Sequence, residues 1–487
     1  MKKNRNMVRI IALVLALLMV GGVVVGSLFA AFAETPEPMR DQYTFSIEYM
    51  ESDQALHITQ RLIYMNRTGE RLDRVVFYAA PNIMRRQGAW DLTSEAMATV
   101  FPEGFFPGGV DLRGLWVNGE AADYGFIGEN EIYLRVACDM PPGAEAEFSF
   151  DYYLLLPRCR AFLGAGDGDI RLAAFYFIPG RYDQTLHEFR LNRPLGHTRW
   201  LDSAPADYEA DIILPDGYDL AATGETKDGH VSARNLREFA LTFGKRYRVA
   251  EQRTHSGVVV RVFSGRRDAG DLGRRAVEAI EQCEAWFGDF PVSGLNIAET
   301  DAPSPLNYPG LILLPGEQFE AEGERALWFC LAQQYFGLSA YPEPVADAWL
   351  SDSVSNYVSY WLLEVFRGND AFLKAINRDW VSSLQLTIPG GLTVTSSADL
   401  FDAQSYEMVI LNRGAVVLHE LNQAMGRENL IEGLRRFYEM GRDGHTLTEM
   451  DFVHCMDAAS GRSWEDFLTD WVFNVGDYVN QSIDWLN

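Results

Sequence analysis

The spacing of apolar residues changes once along this chain, and that change constrains the fold more than any other feature. Up to about residue 249, apolar and polar residues alternate, as in 43–49 and 56–64, which is typical of half-buried strands. After residue 268 the apolar residues recur at helical spacing, first in 271–287. The chain is therefore predicted to be an α+β multidomain protein. An N-terminal antiparallel β sandwich or saddle domain is expected over 40–250, followed by a mostly helical α/β domain over 268–487.

Further elements follow from the same two patterns, with turn signals rich in glycine, proline and asparagine between them. Additional strands are predicted at 75–79, 132–136, 146–156, 207–214, 239–243, 295–298 and 311–314. Additional helices are predicted at 322–337, 346–366, 370–384, 404–425, 427–440, 448–459 and 463–474. The glycine-rich segment 85–128 shows neither period and is predicted to consist of loops.

The first 33 residues differ from the rest of the chain. Basic residues near the N-terminus precede an apolar run over 10–33 that contains no acidic residue, which is typical of an export segment. The tripeptide Ala-Phe-Ala that ends at Ala33 predicts signal-peptide cleavage at that point. The run is also long enough to remain as a membrane anchor. We therefore expect an exported, extracytoplasmic protein that is either anchored by 10–33 or secreted.

Charge and cysteine content limit the partners. The formal net charge of −26 disfavours nucleic acid and anionic lipid surfaces, so no nucleic-acid partner is expected. The five cysteines show no CxxC spacing. Cys138 and Cys159 could pair outside the cell, but an odd number of cysteines in so long a chain does not describe a disulfide framework.

Two helical segments carry the motif that bears most directly on function. Residues 327–337 read Leu-Trp-Phe-Cys-Leu-Ala-Gln-Gln-Tyr-Phe-Gly, and residues 348–357 read Ala-Trp-Leu-Ser-Asp-Ser-Val-Ser-Asn-Tyr. Together they resemble the zinc region of the M1 aminopeptidase family of gluzincins, in which HExxH continues into Q-W-F-G and the next helix begins W-L-x-E. The resemblance extends over about 40–487 and implies that the second domain is thermolysin-like.

The resemblance places four residues at positions that hold or use zinc in the family. Phe329 stands at the first histidine, Cys330 at the general-base glutamate, and Gln333 at the second histidine. Asp352 stands at the glutamate ligand. Residues four apart share a helix face, so two imidazoles there can bind one cation. Phe329 has no donor atom, the Gln333 amide oxygen is a poor zinc ligand, and Cys330 points about 100° away from that face, so no zinc is expected.

Two other family motifs are altered in the same way. Residues 304–310 resemble the edge-strand motif G-x-M-E-x-P-G, whose glutamate holds the substrate's amino group, and Asn307 stands at that glutamate. Residues 405–415 resemble the helix that bears Y-x-K-G-A, whose tyrosine stabilises an oxyanion, and Leu411 stands at that tyrosine. Asn307 lacks the charge that pairs with an ammonium, and Leu411 cannot donate a hydrogen bond.

Other side chains are expected to have ordinary structural roles. His419 and Glu420 resemble a shifted HExxH but are interpreted as ordinary helix residues, and the remaining histidines as scattered surface or packing residues. Cys330 is expected to be a buried, inert thiol. Asp352 is expected to accept hydrogen bonds from Gln333, because an unpaired buried carboxylate would be costly. With Phe329 at the zinc position, an apolar cleft floor is expected.

The resemblance and the missing chemistry together indicate a catalytically inactive peptidase homologue. Such a protein would bind an unknown peptide or protein ligand, or act as a scaffold, at the outer face of a membrane, and it would need no cofactor. Two alternatives remain open. One is an active M1-type metallo-aminopeptidase with an atypical metal set, whose cofactor would be zinc. The other is a cell-envelope structural protein that uses its β domain alone.

Overall fold

The structure, a computed structural model, describes residues 40–473 apart from 91, 129, 246, 266, 320–323, 385–390 and 443. The predicted export segment over 1–33 and the chain after residue 473 lie outside the described residues. The first described strand begins at Asp41, and its buried and exposed residues alternate strictly, as the sequence pattern predicts.

Strands make up most of the first half of the described chain. They are β1 (Asp41–Met50), β2 (Ala55–Met65), β3 (Leu72–Tyr78), β4 (Gly109–Val117), β5 (Glu120–Ala121), β6 (Tyr124–Ile127), β7 (Tyr133–Met140), β8 (Glu145–Leu155), β9 (Leu163–Ala165), β10 (Ile170–Leu172), β11 (Ile178–Pro179), β12 (Arg181–Asp183), β13 (Glu188–Arg190), β14 (Ala206–Ile213), β15 (Asp219–Ala222), β16 (Glu225–Lys227), β17 (His230–Leu236) and β18 (Leu241–Gly244).

A broad sheet with strand order β16-β17-β14-β1-β2-β8-β4-β5 dominates this region. Two smaller sheets, β15-β18-β10-β9 and β11-β3-β7-β6, contribute buried residues to the same hydrophobic cluster. Neighbouring strands of the broad sheet run antiparallel except β1 and β14, which are parallel. The predicted N-terminal β architecture is confirmed, with one parallel pair that the alternation of residues could not reveal.

The prediction that 85–128 consists of loops is wrong. The segment contains the helix α1 (Ser94–Val100) as well as β4, β5 and β6. Thr93 caps the helix through its hydroxyl, which accepts a hydrogen bond from Ala96 N. Val100 and Phe101 pack into a small satellite cluster with Ile83. Tertiary packing therefore stabilises secondary structure in a segment whose apolar residues show no regular spacing, because it is rich in glycine and its strands are short.

A second sheet begins just after β18 and supports the helical region. Its strands are β19 (Arg248–Arg253), β20 (Val259–Ser264), β21 (Gly294–Thr300), β22 (Leu306–Tyr308) and β23 (Leu311–Pro315), in the order β19-β20-β21-β23-β22. β19 and β20 lie largely between the two predicted domains and pair into this sheet through β21. β22 is an edge strand, so its residues border the adjoining cleft.

Helices dominate the rest of the described chain. The α-helices are α2 (Ala269–Phe287), α3 (Glu324–Gln333), α4 (Ala348–Arg367), α5 (Asn369–Ile376), α6 (Ser382–Leu384), α7 (Ala403–Tyr406), α8 (Gly414–Met425), α9 (Arg427–Gly441), α10 (Glu449–Ser460) and α11 (Glu465–Phe473). Short 3₁₀ segments are Ala80–Met84, Gly316–Phe319 and Ala398–Leu400, and π-helical segments are Gln334–Ser339, Asn377–Val381 and Glu407–Arg413. A two-stranded pair joins β24 (Tyr341–Pro342) to β25 (Thr446–Leu447). The predicted helices are therefore present, with the π-helical segments as an unpredicted feature.

One hydrophobic cluster runs from β1 through the helical region to α11, so the two regions share a continuous core. Along the described part of the chain, no helix combines the length and apolar character needed to cross a bilayer. Cys138 and Cys159 are both unpaired thiols, and the Cys159 Sγ donates to Leu163 O at 3.1 Å. The pairing that the sequence left open is thus not formed in this structure.

Candidate functional site

A cavity of about 1150 Å³ lies between the β region and the helical region. All six positions singled out from the sequence line it: Asn307, Phe329, Cys330, Gln333, Asp352 and Leu411. The edge strand β22 supplies the first, α3 the next three, and α4 and the π-helical segment before α8 the last two. The structure therefore brings together residues from four separate sequence motifs.

Gln333 and Asp352 bridge the two helices at the bottom of this cavity. Gln333 Nε2 donates a hydrogen bond to Asp352 Oδ1 at 3.0 Å, which confirms the predicted contact. Ser351 Oγ donates to the same oxygen at 3.2 Å. Gln333 is the last residue of α3, and Asp352 lies in the first turns of α4. The hydrogen bond between the amide and the carboxylate therefore links the two helices at the place where a metal ion would link them in a zinc peptidase.

The other carboxylate oxygen is held by residues that the sequence did not indicate. Tyr406 OH donates to Asp352 Oδ2 at 2.7 Å, and Thr198 Oγ1 lies 3.4 Å from the same oxygen. Thr198 Oγ1 also lies 3.0 Å from the Tyr406 hydroxyl oxygen. Burial raises the pKa of Tyr406, so its hydroxyl stays protonated and acts as a donor. Asp352 is therefore saturated by hydrogen bonds from both regions of the chain.

The π-helical segment explains why Tyr406 faces the cavity together with Leu411. In a π-helix, hydrogen bonds join residues five apart, so such residues come to lie one above the other. Both residues line the cavity, whereas an uninterrupted α-helix would turn them well apart. Thr198 lies in the irregular segment between β13 and β14, where no periodic signal could have predicted its position.

Asn307 extends the same network to the edge strand. Its Nδ2 donates to Gln333 Oε1 at 3.1 Å and to Cys330 O at 2.8 Å. Its Oδ1 accepts from Gln334 Nε2 at 2.6 Å, and Gln334 Nε2 also donates to Tyr308 O at 3.0 Å. The Asn307 amide thus uses all its groups on neighbouring protein atoms, and none of them is an acid that could receive an ammonium.

The donor atoms on this floor do not fit a tetrahedral zinc site. Phe329 offers none, and both polar atoms of the Gln333 amide are engaged. Burial raises the pKa of the Cys330 thiol to about 12, so a thiolate is strongly disfavoured. Among the residues that the structure describes, no group of three histidine, cysteine, aspartate or glutamate side chains could hold a metal ion. Among the residues at the zinc-ligand positions of the M1 pattern (Phe329, Gln333 and Asp352), Asp352 alone retains the character of a metal ligand.

One histidine lies at a place that the sequence did not indicate. His197 lines the cavity, and its ring lies 4.9 Å from that of Tyr406. Its Nε2 is 3.1 Å from Ala398 O, which favours a proton on that nitrogen. Burial lowers the pKa of His197, so the ring tends to be neutral. His197 therefore packs against Tyr406, and the sequence-based interpretation of it as a surface or packing residue did not include its place in the cavity lining.

His419 behaves as the sequence predicted. It lies in α8 and is buried against Tyr357 and Trp380, with its Nδ1 3.2 Å from Tyr357 OH. Burial lowers its pKa to about 4, so the imidazole is neutral at ordinary pH. It does not line the cavity described above.

The cavity is not apolar at its floor, contrary to the expectation drawn from Phe329. The floor is a hydrogen-bonded polar network, and Phe329 and Leu411 stand beside it as half-exposed apolar walls. Farther up, Trp90 and Phe162 from the β region form an aromatic wall, with ring centroids 5.5 Å apart. The cleft therefore offers both apolar surface and polar groups to a ligand.

Comparisons with known proteins identify the fold. No model of a known protein family matches the sequence, and no curated protein sequence matches it. Among solved structures, an M1 zinc metallopeptidase from Deinococcus radiodurans is similar with a TM-score of 0.62 and 17% identity, covering 90% of this chain and 95% of that chain. A glutamate-to-alanine mutant of an M1 zinc metallopeptidase from the same organism, bound to a Tyr-Ser-Ala substrate, matches with a TM-score of 0.62 and 18% identity, covering 89% and 93%.

A further structure, a two-domain M1 zinc metallopeptidase mutant bound to L-tryptophan, matches with a TM-score of 0.59 and 17% identity over 90% of this chain and 95% of that chain. Identities this low establish the architecture and leave the chemistry to the residues of this chain. The β-rich first region and helical second region together form the two-domain fold of the M1 zinc metallopeptidases.

Proposed function

We propose that this chain is an M1-peptidase-like binding protein that holds a peptide in its cleft without zinc-dependent hydrolysis. The observation that carries the proposal is the closed network of Asn307, Gln333, Asp352 and Tyr406 on the cleft floor. Every side chain in this network already has a hydrogen-bond partner, so a metal would have to displace protein contacts without gaining imidazole ligands.

The catalytic groups other than metal ligands are also replaced. A water-activating glutamate would stand at Cys330, whose thiol is buried and protonated. An oxyanion donor would stand at Leu411, and the nearby Tyr406 hydroxyl is committed to Asp352. This arrangement supports binding in preference to acyl transfer, because the side chains at the general-base and oxyanion positions of the M1 pattern can neither activate water nor donate to an oxyanion.

The walls support a peptide as the ligand class. The cavity exceeds the usual size of small-molecule pockets, about 300–1,000 Å³. The cleft offers apolar walls beside polar groups, and a peptide carries apolar side chains together with backbone donors and acceptors, so its chemistry suits this lining.

The cellular setting of this proposal rests on sequence alone. Residues 1–33 favour export, with either cleavage after Ala33 or retention as an anchor, which would place the cleft at the outer face of a membrane. The acidic composition favours protein or peptide partners over nucleic acid. The peptide or protein partner itself is left open.

A second candidate function is retained because one observation favours it. His197 and Asp352 line the same cavity, so one imidazole and one carboxylate are available there. An active metallo-aminopeptidase with an atypical zinc set would use these two groups together with ligands from outside the family pattern. The experiment below distinguishes the two functions.

The purified full chain is analysed for bound metal by mass spectrometry, tested with a set of amino-acid anilides, and mixed with randomised pentapeptides to measure retention. We expect no stoichiometric zinc, no chelator-sensitive hydrolysis, and retention of a subset of peptides. About one tightly bound zinc ion per chain together with chelator-sensitive hydrolysis would establish the metallopeptidase instead. A chain that retains no peptide would refute the binding function.

A further inference from the structure

Two arginines line the cavity beside the polar floor. Arg325 lies on α3, one helical turn before Phe329, and Arg378 lies in the π-helical segment Asn377–Val381. Both side chains are accessible, with exposed fractions of 34% and 71%. They approach the same cavity from two different elements and thus form one basic corner, defined here by Arg325 and Arg378.

A single carboxylate behind the cavity lining serves both arginines. Asp379 accepts from Arg378 Nε at 2.6 Å and from Arg378 Nη2 at 2.8 Å, and its Oδ2 lies 3.5 Å from Arg325 Nη2. Tyr360 OH also donates to Asp379 Oδ2 at 2.6 Å. Over the described residues, neither guanidinium has a second carboxylate within ion-pair distance, so the corner carries one positive charge in excess.

Neutral contacts fix Arg325 in place without cancelling its charge. Its guanidinium lies over the Tyr360 ring at 4.5 Å from the centroid, and its Nη1 donates to Asn356 Oδ1 at 2.9 Å. Asn356 is itself held by donating to Leu411 O at 2.8 Å. A guanidinium with five N–H donors keeps several of them for another acceptor in this arrangement, and its orientation is already set before a ligand arrives.

The other arginines of the cavity differ from this corner because carboxylates match them in number. Arg199 pairs with Glu238 at 2.7 Å. Arg160 lies 3.8 Å from Asp301, which also pairs with Arg171, and Arg171 has Asp169 as a second carboxylate. In a chain of net charge −26, a locally unbalanced pair of arginines facing a cavity is a specific feature and not a consequence of composition.

We propose that Arg325 and Arg378 bind a carboxylate of the peptide held in the cleft. This inference rests on the proposed peptide-binding function and adds that the bound peptide carries a negative charge. Guanidinium groups recognise carboxylates through paired, charge-assisted hydrogen bonds, which supply both orientation and affinity. The carboxylate is either the C-terminus of a short peptide or an aspartate or glutamate side chain of a longer one.

The test uses three pools of randomised pentapeptides and measures the fraction of each pool retained by the full chain. The first pool has a free C-terminal carboxylate and contains no aspartate or glutamate. The second is amidated and also lacks acidic residues, and the third is amidated but contains them. We expect the first or the third pool to be retained roughly tenfold better than the second, as one charge-assisted contact predicts.

Variants connect that preference to the basic corner. Arg378→Gln removes an exposed guanidinium and leaves Asp379 bonded to Tyr360, so the fold is retained and the preference should fall to near unity. Arg436→Gln, which removes another exposed arginine that pairs with a neighbouring acid, Glu432 on α9, is the matched control and should keep the preference.

Each outcome decides a different point. Preference for the first pool supports a C-terminal carboxylate, and preference for the third supports an acidic side chain. Equal retention of all three pools, or a preference that persists in Arg378→Gln, overturns the inference while peptide binding stands. Retention of no pool overturns peptide binding and the inference with it.

Discussion

The hydrogen bond between Tyr406 and Asp352 gives the sharpest test of the floor network. Tyr406→Phe removes the hydroxyl that donates to Asp352 Oδ2 at 2.7 Å while it keeps the ring volume, so no cavity is created. A hydrogen bond to a charged group contributes about 1.5–3 kcal/mol in proteins. Asp352 retains Gln333 and Ser351 as donors, and we therefore expect a loss of about 2 kcal/mol in the free energy of unfolding.

A matched variant separates this effect from the general cost of losing a buried tyrosine hydroxyl. Tyr335 is also buried, and its hydroxyl donates to the neutral Gly288 O at 3.0 Å. Tyr335→Phe should cost only about 1 kcal/mol, because its acceptor carries no charge. The free energies are measured by urea denaturation followed by intrinsic fluorescence and circular dichroism.

A double-mutant cycle assigns the difference to the named pair. In an Asp352→Asn background, Tyr406→Phe should cost about 1 kcal/mol less than in the original chain, because the acceptor has lost its charge. The reasoning is refuted if Tyr406→Phe costs no more than Tyr335→Phe and its cost is unchanged in the Asp352→Asn background.

Three further predictions follow from the same structure. A variant that combines Phe329→His, Cys330→Glu, Gln333→His and Asp352→Glu should retain about one zinc ion per chain, measured by mass spectrometry. It should hydrolyse anilides only slightly, because Asn307 and Leu411 remain. Failure to retain zinc would contradict the helix geometry inferred for the floor. Burial, with Glu449 and Glu343 nearby, raises the pKa of Asp347 from 3.8 to about 6, so the native state loses stability as pH rises through that window. Asp347→Asn should match the original chain near pH 4 and exceed it above pH 6 by about 1–2 kcal/mol, allowing for partial exposure, and an equal gain at both pH values would be contrary evidence. Gly414→Ala would place a Cβ 2.0 Å from Ser353 Oγ and should cost about 2 kcal/mol by denaturation, whereas Gly270→Ala, whose nearest neighbour lies at 3.4 Å, should be close to neutral.

Helical spacing made part of the site predictable from the sequence. The resemblance to the M1 zinc motifs implies that Gln333 and Asp352 stand at ligand positions for one metal ion, and residues four apart share a helix face. Their hydrogen bond was expected because an unpaired buried carboxylate would be costly. Cys330 was predicted to be a buried, inert thiol and His419 an ordinary helix residue, and both side chains are buried in the structure.

Features without a period were not predictable in this way. The position of Tyr406 at the floor depends on the π-helical segment that follows it. The sequence pattern does not predict where backbone hydrogen bonds change from joining residues four apart to joining residues five apart. Thr198 and His197 lie on an irregular segment whose path is set by tertiary contacts. Helix α1 and the strands within 85–128 were missed because short elements depend on packing more than on local preference.

The replacements on the cleft floor depend on one another. Gln333 presents its amide oxygen toward β22, and that oxygen requires a donor, which Asn307 Nδ2 provides. A glutamate at position 307 would instead face two acceptors, the Gln333 amide oxygen and Cys330 O, and would be repelled by both. The glutamate that the M1 pattern has at position 307 would therefore be unfavourable beside an amide at position 333. An uncharged donor at 307 and an amide at 333 are therefore mutually compatible, and together with Asp352 they form one hydrogen-bonded floor.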